Sequence, residues 1–124
     1  MPIKNRITPF ALAAALAAGL ALPAQAQDWP AGKTVQIVVP APGGGGTGDT
    51  IARVIAEELG KHLKTSVIVD NKPGANGNIG AAYAAQQAPD GYKLLFSWAG
   101  TLAVNPSLYK GLSFDPQKDF APIV

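Results

Sequence analysis

The stretch Pro40-Ala-Pro-Gly-Gly-Gly-Gly-Thr-Gly-Asp49 constrains this chain more than any other. It joins an apolar run, Val35-Gln-Ile-Val-Val39, to an amphipathic one, Thr50-Ile-Ala-Arg-Val-Ile-Ala-Glu-Glu-Leu59. The pattern predicts a strand, a glycine-rich turn and a helix. Glycine takes positive φ at no steric cost and lets the main chain come close to a ligand. The first N–H groups of a helix have no acceptor inside it, and the helix dipole is positive there. Such a turn can hold an anion with backbone donors and no basic side chain.

The rest of the chain repeats this arrangement. Lys33 to Val39 reads as a strand whose last residues are all apolar, as in a strand covered on both faces. Pro40 and Pro42 stop it. Asp49 or Thr47 is placed to cap the helix. Ile51, Val54, Ile55, Leu59 and Leu63 fall at helical spacing and predict its buried face, with Arg53, Glu57, Glu58 and Lys61 opposite. Gly60 is a weak point in that helix. Ser66 to Asp70 predicts a second strand, Asn71 to Asn78 a second glycine-rich turn, and Ile79 to Gln87 a helix with a small-residue face suited to close packing. Tyr92 to Ser97 predicts a third strand, and Trp98 to Thr101 a third loop. Leu102 to Leu108 starts helically and is expected to break at Asn105-Pro106. Lys110 to Pro116 is a surface loop before a last strand begun at Ile123-Val124. The fold class is α/β, a βαβαβ core with parallel strands. All three loops leave the carboxyl ends of strands, where ligands of open α/β sheets bind.

Composition narrows the functional classes. Residues 1–26 read as a secretory leader: Lys4 and Arg6, an apolar stretch from Phe10 to Leu22, and the small-x-small site Ala24-Gln-Ala26. Cleavage after Ala26 gives a chain starting at Gln27. The apolar stretch is shorter than the roughly 20 residues of a membrane span. The leader holds two of the ten basic residues and none of the eight acidic ones, so residues 27–124 are formally neutral. The basic balance therefore belongs to the leader and gives no reason to expect a nucleic-acid partner. Absence of cysteine rules out disulfides and a lipid-modified cysteine after the leader. A periplasmic monomer is expected.

Catalytic and cofactor motifs fare poorly. Gly43-x-x-x-x-Gly48 has P-loop spacing, but Asp49 stands where the lysine belongs and a carboxylate repels phosphates. Gly43-x-Gly45-x-x-Gly48 also matches a dinucleotide fingerprint, with Asp70 at the end of the next strand, so a Rossmann-like oxidoreductase domain is the alternative reading. The displaced first glycine and the leader both weigh against it. Ser97 and Thr101 have no histidine partner, and His62 stands alone on a helix end. No catalytic residue, metal or cofactor is expected.

Five words of the sequence together resemble one family. They are Ile37-Val-Val-Pro40 followed by the glycine turn and Asp49-x-x-Ala-Arg53; Val69-Asp-Asn-Lys-Pro-Gly-Ala-Asn-Gly-Asn-Ile-Gly-Ala81; Ala88-Pro-Asp-Gly-Tyr92; Asn105-Pro-Ser-Leu-Tyr109; and Asp119-Phe-Ala-Pro122. In this order they resemble the solute receptors of tripartite tricarboxylate transporters, the Bug-type receptors. The resemblance implies a periplasmic-binding-protein-like, type II flytrap fold, of which residues 27–124 are the incomplete first domain. It implies capture of a small organic carboxylate and delivery to membrane permease subunits. The site residues it implies are Gly44, Gly45, Gly46, Thr47 and Asp49 in the first loop, with Gly74, Ala75, Asn76 and Gly77 in the second. In the third they are Ser97, Trp98, Gly100, Thr101 and Asn105. Two features depart from the pattern: Ala41 stands where an aromatic is usual, and one extra residue precedes Asp49.

Overall fold

The computed structural model describes residues 28–124; the leader over residues 1–26 and its cleavage site lie outside them. Three parallel strands form one sheet in the order β2-β1-β3. Strand β1 (Val35–Val39) is central and pairs with β2 (Val67–Asn71) and β3 (Lys93–Leu95). Its β-branched residues suit a strand with neighbours on both edges. Val35, Val38 and Val39 are fully buried and Ile37 nearly so. β3 is shorter than the sequence suggests, but Gln36 N–H donates to Tyr92 O and Phe96 N–H to Val38 O at its two ends.

Helix α1 (Thr47–Leu63) connects β1 to β2. Its buried face is the predicted one only at the C-terminal end, where Leu59 and Leu63 are half-buried. Ile51, Val54 and Ile55 are exposed, and the residues turned to the sheet are Ala52 and Ala56, packed with Ile37 and Val39. Alanine lets a helix axis come close to a sheet; at the C-terminal end of α1 a Cβ on Gly60 would lie 3.2 Å from Thr65 O, in the turn that follows, and 3.7 Å from Val67 Cγ2 in β2. Gly60 is therefore a contact point as well as a weak helix former. The cap also differs from expectation. Gly46 is the N-cap, and neither Thr47 nor Asp49 caps the helix with its side chain.

A short 3₁₀ turn, Ala75–Gly77, precedes α2 (Asn78–Ala85). The small-residue face of α2 behaves as predicted: Gly80 and Ala81 are buried, and a Cβ on Gly80 would lie 2.7 Å from Pro40 Cβ and 2.8 Å from Lys72 O. This contact sets α2 against the point where β1 ends.

After β3 the chain does not break at Pro106. A π-helical turn, Gly100–Val104, runs into α3 (Asn105–Leu108). Pro106 lies at the start of α3, directly after the π-helical turn. Residues 120–124 are irregular and form no strand among the described residues. No described helix is long and apolar enough to cross a membrane.

Candidate solute site at the carboxyl ends of the strands

The first loop closes on Asp49. This residue is in the first turn of α1, yet its side chain turns back over the glycines and is only 2% exposed. Asp49 Oδ2 accepts from Gly44 N–H at 3.1 Å, Gly45 N–H at 3.3 Å and Arg53 Nε at 3.0 Å. Asp49 Oδ1 accepts from Asn71 Nδ2 at 3.0 Å. The Arg53 bond first, then Asn71 and the two backbone donors, holds this carboxyl well below the usual carboxylate range. The same pairing raises the Arg53 guanidinium above its ordinary value.

Gly44 and Gly45 sit at φ of +107° and +105°, and an added Cβ on either meets nothing within 4 Å. Glycine is needed there for conformation, not for space. Gly46 differs: its φ is −66° and its surroundings are open, so any residue fits its backbone. No side-chain acceptor among the described residues takes the N–H groups of Gly46, Thr47 or Gly48. They begin α1 and have no acceptor inside it.

The second and third loops are fastened by neutral groups. Asn105 and Thr101 are fully buried. Asn105 Nδ2 donates to Asn78 Oδ1 at 2.6 Å and to Asn76 O at 3.0 Å, and Asn105 Oδ1 accepts from Asn76 Nδ2 at 2.8 Å. Thr101 Oγ1 donates to Asn76 O at 3.2 Å. Gly77, at φ +89°, leaves room for Thr101: a Cβ there would stand 2.3 Å from the Thr101 hydroxyl. Buried amides with partners on both sides rigidify what they join.

Trp98 joins the third loop to the first. It is 38% exposed, and its ring edge lies 3.5 Å from where a Gly48 Cβ would be. Ser97, just before it, has a buried hydroxyl with no partner among the described residues.

Of the residues singled out in the sequence, Gly46, Thr47 and Trp98 therefore border open space at the start of α1, with Ser97 behind them. Gly44 and Gly45 both donate to Asp49. Ala75, at φ +47°, and Asn76, at φ +54°, shape the second turn. Gly77, Asn76, Thr101 and Asn105 form the bracket between the second and third loops. Arg53 and Asn71 belong to this loop although the resemblance does not name them as site residues. The i,i+4 spacing of Arg53 from Asp49 is a signal for an ion pair. Asn71 ties the loop to β2: it donates to Ala41 O at 3.1 Å and accepts from Arg53 Nη2 at 3.3 Å. The geometry also bears on the dinucleotide reading. A pyrophosphate needs the glycine N–H groups that Asp49 occupies, and Asp70, the ribose partner in that scheme, pairs with Lys72 at 3.2 Å.

Residues 51–124 match the sequence profile of the tripartite tricarboxylate transporter family receptor. The chain belongs to that family. Solved structures agree. The periplasmic binding protein BugD aligns at 42% identity with a TM-score of 0.68, over 73% of this chain and 29% of that one. A Rhodopseudomonas palustris protein, Rpa4515 with adipate, aligns at 37% identity with a TM-score of 0.70, over 78% and 32%. MatC from the same organism, with bound malate, aligns at 37% identity with a TM-score of 0.67, over 73% and 30%. The fold is thus periplasmic-binding-protein-like α/β, and the family and these neighbours are binding proteins. The chain spans less than a third of the length of the structures it matches, and 29% of a curated relative from Bordetella bronchiseptica.

Proposed function

We propose that this chain is the part of an extracytoplasmic solute receptor that takes one carboxylate of a small dicarboxylate, for delivery to membrane permease subunits. The observation that carries the reading is the start of α1. There the N–H groups of Gly46, Thr47 and Gly48 have no internal acceptor, and Trp98 flanks Gly48. A helix start of this kind favours an anion. Adipate and malate, the ligands of two neighbours, are both dicarboxylates. Ser97 adds a buried, unpartnered hydroxyl just before Trp98 at the same ends of the strands. The leader over residues 1–26 accounts for export to the periplasm.

Calorimetry with adipate, malate and citrate on three forms of the chain tests this. Gly46→Val keeps a permitted backbone and meets no neighbour, so it should fold as the parent does and crowd only the approach to the N–H groups. It should lose most of the affinity. Lys72→Ala should change affinity little, because Lys72 is engaged with Asp70 and lies over the Tyr83 ring. The opposite pattern, with Lys72→Ala abolishing binding and Gly46→Val retaining it, would replace backbone capture by a side-chain ion pair.

A further inference from the structure

We infer that Asp49 is a positioning residue that stands in for an anion. Its carboxylate fills the glycine turn at Gly44 and Gly45 and builds the loop in advance of any solute, so a solute carboxylate must be received one step further along, at Gly46 to Gly48.

The donor set around Asp49 supports this. Two successive backbone N–H groups, one guanidinium N–H and one amide N–H converge on its two oxygens. That is the environment a protein offers a bound free carboxylate. Three segments contribute: the turn itself, α1 through Arg53, and the end of β2 through Asn71. Asn71 continues the connection to Ala41 O, and its side chain lies where a Cβ on Gly43 would come within 2.9 Å of Oδ1. Positive φ at Gly44 and Gly45 is what aims their N–H groups inward at this carboxylate. With nothing else within 4 Å of either position, the glycines serve the carboxylate, not a close neighbour.

Charge then decides where a solute can sit. A second carboxylate at Gly44 or Gly45 would meet Asp49 at contact distance, and like charges so close repel. Arg53 balances one negative charge, and its Nε is already given to Asp49. The donors still free are those that begin α1. Asp49 thus acts on the solute through the loop it holds and does not touch it. The placement of the solute rests on the proposed function; the role of Asp49 in the loop does not.

The test uses amide-resolved NMR on the whole chain, with sodium formate as the probe. Asp49→Ala empties the carboxylate position and keeps its four donors. In this variant the Gly44 and Gly45 amides should move away from their parent positions. Formate should return them in a saturable titration, while the parent's Gly44 and Gly45 amides ignore formate. Adipate affinity should fall at least tenfold in Asp49→Ala and recover most of that loss with formate present. A purely structural role would not give rescue by a one-carbon anion. If Asp49→Ala fails to fold, the parent protein still decides: adipate should shift Gly46, Thr47 and Gly48 and leave Gly44 and Gly45 in place. Formate without effect on Gly44 and Gly45 of the folded variant would overturn the inference. So would direct titration of those two amides by adipate in the parent. Formate capture by the variant, with no dicarboxylate binding by the parent, would support the role of Asp49 and refute the proposed function.

Discussion

The first loop and the bracket between the second and third loops hold their shapes by opposite means. The first loop is closed by charge: a buried carboxylate, a guanidinium whose side chain is 56% exposed, and glycines with open space around them. The bracket is closed by neutral amides and a hydroxyl, all fully enclosed at Thr101 and Asn105, with Gly77 pressed against Thr101. A neutral, close-packed joint resists changes of pH and salt but tolerates no added atom. A charged, roomy joint tolerates bulk but depends on ionisation. For a solute receptor the division is useful. The second and third loops are fixed to each other, and the loop nearest the proposed anion position carries the electrostatics.

The largest effect that sharpens this contrast is steric. Gly77→Val places a β-branched residue at φ +89° with its Cβ inside the Thr101 hydroxyl. Backbone strain and overpacking together should cost about 3–5 kcal/mol. Gly44→Val carries only the strain, since nothing lies within 4 Å, and should cost about 1–3 kcal/mol. Urea unfolding of the two variants measures the difference; equal losses would remove the distinction between a packed and an open joint.

Next comes Asn105→Ala. It leaves Asn78 Oδ1 and Asn76 Nδ2 without their partner inside the protein, and should cost about 2–4 kcal/mol in the same unfolding measurement. A loss below about 0.5 kcal/mol, typical of a surface position, would mean that water replaces the bracket.

The smallest effect is confined to acid pH. The folded Asp49 carboxyl is held below its ordinary value, so its contribution is complete above the unfolded value of about 4 and is lost as pH falls through the folded one. Glu58 and Asp115 are lowered in the same direction by Lys61 and Lys118, so a global melting curve would mix all three. A local readout separates them. The Gly44 and Gly45 amide shifts should stay constant through the ordinary carboxylate range and move only well below it, and those of Gly77 and Asn78 should hold. Asp49→Asn should erase the transition at Gly44 and Gly45. A parallel transition at Gly77 would show that the two joints are not independent.

The sequence exposed the alternation of strands and helices because β-branched runs, glycine turns and a small-residue helix are strong local signals. The parallel sheet and the gathering of three loops at one end followed from that alternation. What failed was tertiary. Helix α1 offers two stripes, one of isoleucine and valine and one of alanine, and hydrophobicity favours the first. The sheet takes the alanines, because close approach of the helix at Ala52, Ala56 and Gly60 outweighs the area of larger side chains. Pro106 reads as a break by local propensity, and the structure instead carries it at the junction of a π-helical turn and α3. In the site, the glycine turn and Asp49 were legible. Their relation was not: Asp49 looked like a cap, and only the fold brings Asn71 from the end of β2 to complete its coordination with Arg53. Thr101 and Asn105 are candidate ligand contacts through the family resemblance. Their burial against Asn76 and Asn78 depends on a π-helical turn that no local pattern announces.

The central claim is that the first turn of α1 receives a carboxylate through backbone donors. A titration of the parent chain with adipate, followed amide by amide, with the uncharged diamide of the same carbon skeleton as control, tests it most directly. The account predicts saturable shifts at Gly46, Thr47 and Gly48, accompanied by the Trp98 indole, and none of comparable size with the diamide. Equal responses to both compounds, or shifts centred on Lys72 with the start of α1 unmoved, would contradict it.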